Sequence, residues 1–187
     1  MKPQYILAAA AAATTVLALA AAPAPLPPNW SLLGQNPDKF TAGIDASREG
    51  HGAKFLRSAT SDTTAWASLG QSILAQRYVG QRVRFRARLR TADLTNWAGL
   101  WMSVGARGGA TLAFYNSQDR KTRGTTGWQE RSVVLDVPAD AAMITFGVIG
   151  AGTGQVWMEP VAFESVGREV PVDRMPPQAA LPSTPTL

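Results

Sequence analysis

Residues 82–90 read RVRFRARLR. Five arginines alternate with Val83, Phe85, Ala87 and Leu89, so every second side chain is apolar. Successive side chains of a β-strand point to opposite faces, whereas a helix repeats every 3.6 residues. The stretch therefore predicts a strand with one hydrocarbon face and one guanidinium face. With Val83, Phe85 and Leu89 inward, Arg82, Arg84, Arg86, Arg88 and Arg90 point to solvent. That outward row is either a grip for something acidic or the wet side of a sheet.

The same period of two recurs along the chain. GAKFLRS (52–58) alternates; AGLWMSV (98–104) puts Leu100, Met102 and Val104 on one face; TLAFYN (111–116) pairs Leu112 with Phe114. SVVLDV (132–137), MITFGVI (143–149) and VWMEPVAF (156–163) continue the series, separated by turn-forming stretches such as YVGQ, GARGG, VPADA and GAGTG. Short alternating strands with such punctuation predict an all-β protein, an antiparallel β-sandwich. Helix is limited to one or two short turns, with candidates at 68–76 and 139–142.

The chain has 187 residues, 18 Lys and Arg against 13 Asp and Glu, a net charge of +5 and no cysteine. Disulfides, thiolate metal sites and cysteine nucleophiles are excluded. The Ala/Leu-rich run behind Lys2 ends in small residues, which predicts a signal peptide over 1–22 and a periplasmic or secreted protein. An uncleaved anchor is the alternative, since the run is marginal for a bilayer of about 30 Å. Residues 23–28, PAPLPP, read as a stiff spacer, 29–167 as the β-sandwich domain, and 168–187 as a disordered Pro-rich tail.

Inward Leu100, Met102 and Val104 leave Gly99, Trp101 and Ser103 outside, and inward Leu112 and Phe114 leave Ala113 and Tyr115 outside. Arg84, Arg86, Arg88, Trp101 and Tyr115 thus form a candidate ligand platform. Aromatic rings stack on the apolar faces of sugars, and arginines bond hydroxyls and carboxylates. The competing reading is an intramolecular cation–π contact, with arginine stems covering apolar surface. Trp128, opening a strand after a loop, reads as an anchor, and Trp30 is expected to pack with Trp157.

The segments GHGAKFLRS (50–58), LGQSILAQRYVGQRVRFRARLRT (69–91) and the run from Thr125 to Phe163 resemble the galactose-binding-like jelly roll shared by several carbohydrate-binding modules. More narrowly, WAGLWMSV (97–104), LAFYNSQDRKTRGTTGWQ (112–129) and residues 133–157 resemble a domain found behind the DNA-binding part of AraC-type transcriptional regulators, and sometimes alone. The pattern of Asn116, Asp119, Arg120, Gly124, Thr125, Thr126 and Trp128 carries that likeness. It implies the jelly-roll fold and adds Asn116, Asp119 and Arg120 to the candidate ligand-binding residues. Sandwiches of this type often hold a structural Ca²⁺, for which Glu159 would be the carboxylate by position. No other cofactor is implied.

These readings favour an exported, non-catalytic binding module for a glycan or cell-envelope component. The alternatives are a structural or accessory envelope protein, or a regulator-associated sensor domain without its own DNA-binding part. Glycoside or ester hydrolysis ranks lower. His51 is the sole histidine, and no spacing singles out a pair among Asp45, Glu49, Asp119, Glu130, Glu159 and Glu164. Nucleic acid would suit the arginine row through its phosphates, but expected export argues against it.

Overall fold

The computed structural model of the protein describes residues 25–47 and 50–177, with Pro160 described in its backbone alone. The expected signal peptide at 1–22, the start of the spacer, Glu49 and residues 178–187 lie outside the described residues. Among the described residues nine strands follow one another: β1 (Trp30–Leu33), β2 (Phe40–Asp45), β3 (Ala53–Ser58), β4 (Trp66–Leu74), β5 (Arg82–Ala106), β6 (Thr111–Tyr115), β7 (Thr122–Asp136), β8 (Ala141–Ala151) and β9 (Gln155–Val166). A 3₁₀ turn, Pro37–Lys39, precedes β2.

All the pairings are antiparallel, and β5 belongs to two layers. Its first half pairs with β7 and β9, which continues through β3 to β2. Its second half pairs with β6 and β8, which continues through β4 to β1. The two layers face each other across the core, where Phe85 from β5 meets Phe146 from β8 at 4.9 Å, and Phe146 meets Phe163 from β9 at 4.8 Å. Phe85 is completely buried, worth about 2–3 kcal/mol relative to leaving the ring in water. The architecture is an antiparallel β-sandwich.

The length of β5 corrects the expectation of separate strands at 82–90 and 98–104. They form one strand of 25 residues that bends between them. Register shifts fall at Leu89/Thr91, Thr91/Leu94 and Leu94/Ala98, and Asp93 sits at φ 55° within the bend. The inward residues are odd-numbered through Thr91 (Val83, Phe85, Ala87, Leu89) and even-numbered from Leu94 (Ala98, Leu100, Met102, Val104). Bulges of this kind insert a residue and turn a strand, which lets one segment serve both sheets.

The proposed helix at 68–76 is β4 instead. Ala67 and Leu69 are completely buried, and the strand is hydrogen-bonded on both sides, to β1 and β8. Ala67 through Gly70 are all buried, so the alternation is blunted there, and the exposed Leu74 makes it harder to tell from helix. At 139–142 there is only a turn, closed by the Ala141 N–H donating to the Pro138 carbonyl at 3.1 Å.

The chain also stays on the sandwich beyond Gly167. Arg82 Nη1 donates to the Arg168 and Val170 carbonyls at 2.8 and 2.6 Å. The Asp173 N–H bonds the Val134 carbonyl at 2.9 Å, while Val172 and Met175 pack against the core. Residues 168–175 are therefore a docked strap, not a disordered tail. Their composition hides this because much of the anchoring runs through backbone groups, with few side chains, Val172, Met175 and Asp173 among them, adding to it.

Candidate functional site

The outer face of the β1–β4–β8–β5–β6 layer is built around glycine. Register places Gly70 of β4, Gly147 of β8 and Trp101 of β5 side by side across three strands. With no side chains on Gly70 or Gly147, the sheet is locally low and the indole of Trp101 settles over it. A Cβ on Gly70 would lie 3.1 Å from Trp101 Cζ2. The Trp101 Nε1–H is buried and meets no acceptor among the described residues.

The neighbouring rows raise walls around this floor. Trp66, Ala151 and Trp97 align on β4, β8 and β5, and Ser68, Ile149 and Gly99 form the next row. Phe114 of β6 stands opposite Ser103 and is one of the few large apolar side chains exposed, at 40%. Together these residues enclose a cleft of about 540 Å³, edged by the amides of Asn96, Asn116 and Gln118. None of the described lining residues carries a charge. Rings and amides without charge suit a neutral, hydroxyl-rich ligand, because the rings cover C–H faces and each amide both donates and accepts.

Of the candidate ligand-binding residues, Trp101 and Asn116 line this cleft. Tyr115 does not. It pairs with Met102, which faces the core, and is only 1% exposed. The reason is a bulge: Gly105 pairs with Thr111 while Val104 pairs with Ala113, so Leu112 is an extra residue and the alternation of β6 shifts by one. Phe114 takes the outward position. The Tyr115 hydroxyl donates to Asp119 Oδ1 at 2.5 Å and accepts from Arg120 Nε at 2.8 Å. Burial, then the hydrogen bond to Asp119, pushes the phenol up to about 12. Asp119 and Arg120 thus sit behind the cleft and do not line it.

Arg84, Arg86 and Arg88 are on the other layer altogether, and their neighbours explain them. Arg84 bonds Glu164 of β9 at 2.8 Å, and Arg86 faces Glu130 of β7 at 3.6 Å. Arg88 stacks over Trp128 at 5.5 Å, while Arg90 covers Trp157 at 4.2 Å. At the end of the row Arg82 bonds both carboxylate oxygens of Asp136, at 2.8 and 3.1 Å. The guanidinium row is matched by acids and indoles on the adjacent strands, the arrangement expected of a solvated sheet face.

Trp128 does anchor its strand, but Trp30 and Trp157 do not meet. Trp30 packs edge-on to Phe146 in the main core, while Trp157 joins Phe55 and Ala53 on the outer side of the other layer. Trp157 Nε1 donates to Asp45 Oδ2 at 2.7 Å. Glu159 stands opposite Arg88 in register. Among the described residues no group of three or more His, Asp or Glu side chains is placed to hold a metal ion. The sequence reading missed Trp66, Trp97, Phe114, Asn96 and Gln118. Outward parity after the bend of β5 could have found Trp97; the others needed the strand order.

The fold has solved counterparts at low sequence identity. With the enzymatically active domain of the bacteriophage CBA120 tailspike protein 4 the TM-score is 0.56 at 14% identity, over 74% of this chain and 20% of that one. With the CBM22-1–GH10 modules of Clostridium thermocellum xylanase 10B it is 0.51 at 14% identity, over 74% and 26%. With the CBM22-1 xylan-binding domain from Paenibacillus barcinonensis Xyn10C it is 0.50 at 13% identity, over 74% and 86%. The fold is the carbohydrate-binding-module jelly roll.

That jelly roll also has a curated relative. Over 145 residues the chain is 39% identical to the Bacillus subtilis (strain 168) protein named as an uncharacterised HTH-type transcriptional regulator, YbfP, a match covering 76% of this chain and 49% of that protein. The chain thus spans about half the length of the relative it matches. No family model matches the chain.

Proposed function

We propose that the protein is a non-catalytic module that binds a neutral carbohydrate, free or in the cell envelope, in the Trp66–Trp97–Trp101 cleft. The observation that carries this reading is a cleft with indole and phenyl walls, amide edges and no charged lining residue. The carbohydrate-binding modules that share the jelly roll, one of them described as a xylan-binding domain, support it. Catalysis is disfavoured by the same lining, since glycoside hydrolysis needs two convergent carboxylates. The described candidate acids lie outside the cleft: Asp45 accepts from Trp157, Asp119 from Tyr115, Glu130 and Glu164 face arginines, and Glu159 pairs in register with Arg88. The alanine- and leucine-rich start supports export to the periplasm or medium.

Affinity electrophoresis of the mature protein through gels containing neutral or acidic polysaccharides tests the proposal. Retardation by a neutral polysaccharide, lost in Trp101→Ala, is the expected result. Equal mobility in every gel would remove the reading. The Bacillus relative favours a second one, a ligand-sensing domain of regulator type, because about half of its length matches this chain and it is named a transcriptional regulator. Both readings use the same cleft. Recovery of the protein in the periplasmic fraction, with its first 22 residues removed, would favour the exported module; retention in the cytoplasm would favour the sensor.

A further inference from the structure

We infer that the strap after β9 is part of the ligand cleft's architecture, with Asp173 as the positioning residue that holds its Asn116–Gln118 wall. That wall belongs to the turn between β6 and β7, residues 116–121, which has no sheet partner of its own. It is fixed at two points. In front, the Ser117 hydroxyl donates to the Leu100 carbonyl at 2.7 Å, with Ser117 at φ 59° and almost buried. A Cβ on Gly99 would come within 2.8 Å of the Ser117 Cβ, so the turn lies directly on β5.

From behind, the turn is held by Arg120. Its Nε donates to the Tyr115 hydroxyl at 2.8 Å and its guanidinium stacks over the same ring at 5.0 Å. Its Nη2 donates to Asp173 Oδ1 at 2.9 Å. The other oxygen of that carboxylate accepts from the Val134 N–H at 2.8 Å, while the Asp173 N–H returns to the Val134 carbonyl at 2.9 Å. Asp173 is thus clamped to β7 on one side and clamps Arg120 on the other. A charge-assisted bond to a carboxylate that is itself fixed carries more positional information than an ordinary surface ion pair.

A second contact runs parallel to this chain. Phe114 lines the ligand cleft and also a groove of about 320 Å³ that it shares with Val172 and Met175 of the strap. Both the amide wall and the phenyl wall of the cleft are therefore backed by residues beyond Gly167. Removing the Asp173 carboxylate leaves Arg120 its bonds to the Tyr115 hydroxyl and to the Ser132 carbonyl, at 2.8 and 3.3 Å, but breaks the one side-chain tie between the turn and the strap among the described hydrogen bonds. The effect on ligand binding rests on the carbohydrate reading above; the effect on the turn does not.

Hydrogen–deuterium exchange of the full chain without ligand tests the inference. In Asp173→Ala, peptides covering 116–121 should exchange about tenfold faster, while those covering 83–90 and 144–148 keep their rates. Glu164→Gln, which breaks an ion pair on the opposite layer, should change neither. Unchanged exchange at 116–121, or equal acceleration throughout the domain, would overturn the inference. If the alanine variant does not fold, Asp173→Asn keeps an acceptor for the Val134 N–H, loses the charge facing Arg120 and is judged by the same comparison. In neutral-polysaccharide gels the variant should be retarded less than the wild type. A wild type that no polysaccharide retards would sink the carbohydrate reading and leave the exchange result to decide the role of Asp173.

Discussion

Gly70 lies under the indole of Trp101, so close that a Cβ at that position would stand 3.1 Å from Cζ2. That Cβ would also stand 3.2 Å from the Phe146 carbonyl oxygen and 3.3 Å from Leu33 Cδ1; the two side chains can shift, and the carbonyl has to give by only a few tenths of an ångström. Gly70→Ala should therefore fold, displace the indole and weaken ligand binding by about fivefold, roughly 1 kcal/mol. Titration followed by tryptophan fluorescence measures it. The neighbouring Gly147 has no such relief, because its Cβ would meet the Leu69 carbonyl oxygen at 2.0 Å. Gly147→Ala should cost about 3 kcal/mol of stability in urea unfolding.

Trp66, Trp97 and Trp101 line one cleft. Single alanine substitutions of Trp66 and Trp101 should each weaken carbohydrate binding by about tenfold or more, as expected of aromatic anchors. Trp97 is 9% exposed, so Trp97→Ala should also lower stability. Calorimetric titration and thermal melts of the three variants separate the two effects.

The arginine row faces the other side of the molecule. Arg84→Ala and Arg86→Ala should leave carbohydrate affinity unchanged and cost less than about 1 kcal/mol each, the usual value of exposed ion pairs. Loss of binding in either variant would move the site to the opposite layer.

Stability should fall at acid pH. The hydrogen bond from Arg82 holds Asp136 below its ordinary value, and that from Arg84 does the same for Glu164. At Asp45 burial works upward, but hydrogen bonds from Ser47 and Trp157 outweigh it and leave the carboxyl below its usual range. A carboxyl more acidic in the folded state stabilises the fold above its unfolded pKa and ceases to do so as pH falls through the folded value. Urea midpoints should be level from about pH 7 to 5 and drop below about pH 4. Glu164→Gln and Asp136→Asn should flatten that drop.

At the alkaline end the sign is reversed. Tyr115 ionises at about 12 in the fold against an ordinary 10.0, so its contribution is complete below 10 and is lost as pH rises through 12. Tyr115→Phe should remove that alkaline loss. At neutral pH it should cost about 1–2 kcal/mol through the hydrogen bonds of Asp119 and Arg120.

How much of this was legible in the chain depends on the strand. RVRFRARLR and AGLWMSV each state their inward residues without ambiguity, and both are right. TLAFYN misleads, because one bulged residue at Leu112 puts Phe114 rather than Tyr115 at the cleft. WASLGQSIL hides its strand character, since polar Ser68 is buried while apolar Leu74 is exposed, so polarity and burial do not alternate together.

Alternation in a sequence is a local property: it reports which side of its own strand a residue occupies. It established here an all-β chain, a core of Val83, Phe85, Leu100 and Met102, and an outward Trp101. Which outward faces become neighbours is set by hydrogen bonding between strands far apart in sequence. The bend in β5 sent the arginines to one layer and Trp101 to the other, and pairing with β4 and β8 brought Trp66 beside Trp97. The strap shows the same division, for a single carboxylate at Asp173 finds its partners, Val134 and Arg120, 39 and 53 residues away.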